Sequence, residues 1–242
     1  MTEELELLRR NLRGFLEREV VPRLEGWERN GIPREALREL VGLGYLFPEA
    51  EGVTERSEEA AWWAVVAEEL GRAGAGSLAA MVESHISAVW LLAAAGETVE
   101  RARYLAGERL LTWPLDAGPV RLEEQDSRRY VEGLALVAVT TEAGKRLVLV
   151  PLEDPALRLL PVPGVGLAAA SLRRLECAGA GFREPELPGC GDVGGHLREG
   201  LARRRLWLAW LLVGLGDWCL RQAFAYVAAR QQFGRAVMQF QA

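Results

Sequence analysis

Lysine is almost absent from this 242-residue chain: Lys145 is the only one among 29 basic residues. Asparagine occurs only at Asn11 and Asn30, and methionine three times. Arginine in place of lysine and few thermolabile residues suit a thermophile, although a GC-rich genome gives the same bias. There are three cysteines, Cys177, Cys190 and Cys219, an odd number with no C-x-x-C pair. That argues against a disulfide framework and a zinc site. The two histidines, His85 and His196, have no ligand-spaced partner, so both read as structural or surface residues and no metal is expected. An excess of positive charge is also missing. The formal net charge is −5, whereas a nucleic-acid binder needs a basic footprint. The longest apolar run, Leu206 to Gly216, lies between Arg205 and Asp217 and is far short of the ~20 residues of a membrane span. It reads as a buried helix. Met1 to Arg10 is charged and lacks the apolar stretch of a signal peptide. A soluble, cytoplasmic protein without a membrane partner is expected.

Half of the residues are hydrophobic, enough for a sizeable core. Leu5, Leu8, Leu12, Phe15 and Leu16 recur at three and four, the stripe of an amphipathic helix that Pro22 breaks or ends. Pro33 opens a second helix lined by Ala36, Leu37, Leu40 and Val41, with Gly42 and Gly44 available to cap it. Ser57, ahead of Glu58 and Glu59, is the expected N-cap of a third helix, which runs through Trp62, Val66 and Leu70 to Gly71. Two more helices are predicted, near Ser77 to Ala95 and Glu97 to Leu105. Strands are predicted at Tyr130 to Thr140 and Arg146 to Val150, with further ones at Leu157 to Val162 and Ser171 to Cys177. A helical period returns from about Val193 to Arg230. The class is therefore α+β. It divides into an N-terminal helical domain (1–108), a shortened antiparallel β domain (109–192) and the start of a C-terminal helical domain with one long helix (193–242).

The end of the chain reads Tyr226-Val-Ala-Ala-Arg230-Gln-Gln-Phe233-Gly234-Arg-Ala-Val-Met-Gln-Phe-Gln241. This resembles the Y-x-x-x-R-x-x-F-G … Q signature of acyl-CoA dehydrogenases. Arg205-x-x-x-Ala209-x-x-x-x-Gly214 resembles the helix leading into it. Val21-Pro22, Trp27-Glu28, Gly31, Pro33 and Leu43-Gly44-Tyr45-Leu46 are similar to the family's first two helices, and Glu68-Glu69-Leu70-Gly71-Arg72 to its E-E-L-x-R helix. Gly96-Glu97, Tyr104-Leu105 and Gly107-Glu108 resemble the stretch before its sheet. Gly166 to Glu176 and Phe182 to Gly189 resemble the last strands of its middle domain.

The resemblance implies an FAD-dependent oxidation of acyl-CoA thioesters, in which a carboxylate removes the α proton while the β hydrogen leaves as hydride. It also implies that Arg230 contacts the dinucleotide's pyrophosphate, that Phe233 packs on it, and that Gln241, joined by Gln232, hydrogen-bonds to it, in a neighbouring subunit. Three departures bear on activity. The chain stops at Ala242, before the part of the bundle that usually carries the catalytic Glu. Where some members place the base earlier, this chain has Arg204, which cannot act as one. The family's flavin-binding segments would fall near Thr112-Trp113-Pro114 or Asp116-Ala117-Gly118, and near Leu136-Val137-Ala138, and none fits. No catalytic residue is therefore assigned. A homo-oligomer, or a hetero-oligomer with a longer dehydrogenase subunit, is expected. The triple Arg203-Arg204-Arg205 reads as a solvated face or a site for a partner's phosphates.

Overall fold

A computed structural model describes residues 2–48, 52, 55–94, 110–112, 133–141, 144–151, 157–161, 167–170, 173–177 and 192–240. Helix α1 (Glu3–Phe15) begins at Thr2, whose hydroxyl accepts from the Leu5 N–H at 3.4 Å, and carries Glu3, Glu4 and Glu6 in its first turn. Acids there complement the positive end of the helix dipole. Its predicted stripe buries Leu8, Leu12 and Phe15. The chain continues through a π-helical turn (Leu16–Val20) and a 3₁₀ turn holding Pro22 (Val21–Arg23) into α2, Leu24–Asn30.

Helix α3 (Arg34–Gly42) has Pro33 at its N-cap. Gly44 supplies the C-terminal cap, with φ 76° and its N–H donating to the Val41 carbonyl. Gly42 lies inside the helix instead.

Helix α4 (Arg56–Arg72) starts one residue before the expected cap. Ser57 sits in its first turn, and Glu55 is the N-cap without a side-chain hydrogen bond. Helix α5 (Gly76–Ala94) is long and apolar enough to cross a membrane by length and composition, but 72% of it is buried inside the fold. It is the central helix of the core. The predicted helix at Glu97 to Leu105 lies outside the described residues.

The middle segment contains β1 (Leu110–Thr112), β2 (Gly133–Thr141), β3 (Gly144–Pro151), β4 (Leu157–Pro161) and β5 (Arg173–Cys177). The β2–β3 hairpin pairs antiparallel from Leu134↔Pro151 to Thr141↔Gly144, and β4 pairs antiparallel with β5. An all-antiparallel sheet does not hold, because β1 pairs with β2 in parallel, Leu110↔Gly133 to Thr112↔Ala135. Three residues carry too little pattern to announce a strand or its direction. Glu28 of α2 ties the helical layer to the 3₁₀ turn Ala168–Ala170. Its carboxylate accepts from the Ser77 hydroxyl at 2.6 Å and from the Ala169 N–H at 3.2 Å.

The last helix, α6 (Val193–Ala229), is capped by the Asp192 carboxylate, which accepts from the Gly195 N–H at 2.8 Å. It crosses α4 closely where Gly71 meets Gly214. A Cβ at Gly214 would lie 2.0 Å from the Glu68 carbonyl oxygen, and one at Gly71 2.4 Å from that of Leu211. The crossing is framed by charge. Glu69 is almost fully buried and accepts from Arg13 twice at 2.8 Å and from Arg9 at 2.9 Å. Glu68 accepts from Arg9 and Arg72, both at 2.9 Å. Arg72 reaches Asp217 of α6 at 3.2 Å. Buried carboxylates persist only when paired and hydrogen-bonded in this way. Trp207 and Leu211 of α6 are buried in the same core as Leu12, Leu40, Leu70, Leu78 and Leu92.

Candidate functional site

After Ala229 the chain leaves the helix and folds back as a short hairpin, β6 (Gln231–Gln232) and β7 (Arg235–Ala236), closed by Phe233-Gly234. Gln231 pairs with Ala236 and Gln232 with Arg235. The ladder extends one step further, with the Val237 N–H donating to the Arg230 carbonyl at 2.8 Å. Both turn residues have positive φ, 49° at Phe233 and 77° at Gly234, as a two-residue hairpin turn of this hand requires. Glycine adopts that region freely, whereas a bulky residue there is an outlier that costs about 1–2 kcal/mol.

Phe233 nevertheless holds this position with 94% of its surface exposed. Its ring meets Phe240 edge-on, with centroids 6.3 Å apart. Arg230, at the helix C-cap, lies over the Tyr226 ring and donates to its hydroxyl. Arg235 lies 4.0 Å over the ring of Phe240. Neither Arg230 nor Arg235 meets a carboxylate among the described residues. The tip therefore brings Arg230, Gln232 and Phe233 together and adds Arg235, a residue inside the signature to which the resemblance assigns no role. Gln241 lies outside the described residues.

The arginine triplet occupies three environments. Arg203 is held between Trp63 and Trp90, 5.4 and 4.6 Å from their ring centroids, and pairs with Glu59 at 3.0 Å. Arg204 is only 5% exposed and donates to Glu83 at 2.7 Å. Only Arg205 faces solvent, so the triplet is not a solvated face. Ser87 donates to the other Glu83 oxygen at 2.6 Å. Burial pushes the Glu83 carboxyl above the usual carboxylate range, while the Arg204 charge and the Ser87 and Arg204 hydrogen bonds pull it back. The position matched to a catalytic base thus carries a guanidinium locked into an internal ion pair.

The other candidates are structural. His85 is buried with its ring edge-on to Phe47, and His196 is half-buried. Among the described residues no group of three or more His, Cys, Asp or Glu side chains is placed to hold a metal. Of the positions where the family's flavin-binding segments would fall, Trp113, Pro114, Asp116, Ala117 and Gly118 lie outside the described residues, Thr112 ends β1 and Leu136–Ala138 form part of β2.

The outer face of α6 exposes Leu206, Leu208, Leu212, Val213, Leu220 and Phe224, and from Gly216 onward most of the helix is open to solvent. Trp207 and Leu211 do not belong to that face, because they pack inward. From Leu206 to Gly216 the helix is apolar on all sides, and a segment of that kind belongs in a larger core. We expect static light scattering at micromolar concentration to give a mass of at least two chains. A monomer would count against that.

Comparison with known proteins bears on the fold. The acyl-CoA dehydrogenase N-terminal domain family matches residues 2–108. No curated protein matches the sequence. Among solved structures, a glutaryl-CoA dehydrogenase from Mycobacterium smegmatis in complex with FADH2 superposes with a TM-score of 0.79 at 19% identity, covering 99% of this chain and 69% of that one. An acyl-CoA dehydrogenase from Geobacillus kaustophilus gives 0.73 at 24% identity, with 99% and 72% covered. The ChsE4-ChsE5 complex from Mycobacterium tuberculosis gives 0.76 at 20% identity, with 99% and 71% covered.

Proposed function

We propose that this chain, whose residues 2–108 match the acyl-CoA dehydrogenase N-terminal domain family and whose fold is that of solved acyl-CoA dehydrogenases, is a member of that family that acts as a partner subunit. In this reading it lends Arg230, Gln232, Phe233 and Gln241 to an FAD held mainly by another chain, and does not oxidise acyl-CoA alone. The observation that carries the reading is Phe233, a large ring kept almost wholly exposed in a backbone region that costs stability. Strain of this kind persists where a ligand or partner uses the residue. The neighbouring guanidinium suits a diphosphate, whose charge an Arg fork meets with charge-assisted hydrogen bonds. The tip therefore fits the group. When bound, FAD would supply the acceptor for the hydride leaving the β carbon.

The chain's own residues hold and orient in this proposal. Arg230 would neutralise the pyrophosphate, Phe233 would cover the dinucleotide, and Gln232 and Gln241 would donate hydrogen bonds. Removal of the α proton falls to a carboxylate elsewhere, since Arg204 cannot accept a proton. That the ChsE4-ChsE5 structure is itself a complex supports a shared arrangement by fold likeness.

The test compares wild type with Arg230→Ala and Phe233→Gly in the species that retains flavin, whether a homo-oligomer or a complex with a full-length dehydrogenase chain. Both variants should lose flavin on dialysis, Arg230→Ala by about tenfold in affinity. Phe233→Gly should melt no lower than wild type, because the positive φ no longer opposes a side chain. Unchanged flavin with a lowered melting temperature would make both residues structural.

A further inference from the structure

We propose that Arg235 is a second guanidinium for the same diphosphate and forms, with Arg230 and Gln232, one three-point anion grip. This rests on the reading that the tip binds a dinucleotide.

The register carries the inference. Gln232 and Arg235 are directly opposed across the hairpin, so the pleat places their side chains on one face. Arg230 is extended at φ −74°, ψ 125°, and is paired to Val237 through its carbonyl. Two residues before Gln232 on the same strand, it shares that face. The spacing follows from sheet geometry. Gln232 and Arg235 are separated by roughly 5 Å across the pair, and Arg230 and Gln232 by about 7 Å along the strand. Two long arginine stems close that gap easily around a group carrying two negative charges.

Each guanidinium is steadied by an aromatic face, Arg230 by Tyr226 and Arg235 by Phe240. Stacking of that kind limits the rotamer freedom that binding would otherwise cost; one Arg230 nitrogen is spent on the Tyr226 hydroxyl, and the remaining guanidinium donors stay available. The charge pattern agrees. On a chain of net charge −5, the residues after Asp217 include Arg221, Arg230 and Arg235 and no acid at all. An anion approaching the tip meets no like charge from that segment.

The experiment measures FAD affinity by equilibrium dialysis at two salt concentrations in the flavin-retaining species, homo-oligomer or mixed complex. The proteins are wild type, Arg230→Ala, Arg235→Ala and Arg235→Lys. Arg235→Ala should weaken FAD binding by about tenfold and make it less sensitive to salt, because one of the charges that salt screens is gone. Arg235→Lys should restore the salt dependence but only part of the affinity, since an ammonium lacks the fork. A residue that merely props up Phe240 would shift the melting temperature and leave the salt dependence alone. Loss of flavin from Arg230→Ala with none from Arg235→Ala overturns this inference and keeps the tip as a cofactor site. No loss from either, or no species that retains flavin, overturns both.

Discussion

Gly214→Ala is expected to cost at least ~3 kcal/mol of folding stability, the upper end of what overpacking usually costs. The added methyl would lie 2.0 Å from the Glu68 carbonyl oxygen and 2.8 Å from the Arg72 nitrogen. Both are backbone atoms of α4, so no side-chain rotation relieves the overlap and the helices must separate. Separation would strip Trp207 and Leu211 from the core and stretch the Arg72–Asp217 pair. Gly71→Ala meets the same barrier from the other side, 2.4 Å from the Leu211 carbonyl oxygen. Gly216, two residues along α6, is the control. Nothing lies within 4 Å of its Cβ position, and alanine is the better helix former by about 1 kcal/mol. Urea denaturation should therefore show Gly214→Ala strongly destabilised and Gly216→Ala unchanged or more stable. A Gly214→Ala protein within ~1 kcal/mol of wild type would rule out so close a crossing, given the usual cost of overpacking.

The contrast between these two glycines shows what was legible in the sequence and what was not. Element types came through: the stripe of α1, the length of α6 and the hairpin of β2 and β3 follow from local periodicity. Contacts between distant segments did not. Nothing near Gly71 distinguishes a helix-end glycine from a packing glycine, and its partner is Gly214, far along the chain. The arginine triplet fails for a related reason. Successive residues turn ~100° around a helix, so one run of like charge sends Arg203 to an aromatic clasp, Arg204 to the interior and Arg205 to water. Glu83, the acid that makes burial of Arg204 tolerable, is the one carboxylate of α5 and carries no motif. The N-cap of α4 is Glu55, two residues before Ser57, because cap position depends on backbone geometry as well as residue type. At the tip, the resemblance supplied Arg230, Gln232 and Phe233. Arg235 became visible only when the hairpin register set it opposite Gln232.

Arg204→Ala should be the second severe lesion, costing about 3–5 kcal/mol near neutral pH, because it strands a buried charge. Glu83 would keep its Ser87 hydrogen bond but lose the guanidinium donating at 2.7 Å. The pH dependence identifies the cause. Burial already raises the Glu83 carboxyl, and Arg204 restrains that rise. A carboxyl whose folded value lies above its unfolded value contributes stability that is present below the unfolded value and lost as pH rises through the folded one. Without Arg204 the folded value climbs further, so the loss extends over a wider window above the usual carboxylate range. The gap between wild type and Arg204→Ala should accordingly be wider at pH 8 than at pH 5, because a carboxyl so raised takes up a proton more readily as pH falls. Adding Glu83→Gln to Arg204→Ala should recover part of the loss at pH 8, since a neutral amide can stay buried beside Ser87. Urea denaturation of the three proteins at both pH values separates the causes. Equal losses at both, with no recovery in the double variant, would assign the damage to the lost packing of the arginine stem and not to the charge on Glu83.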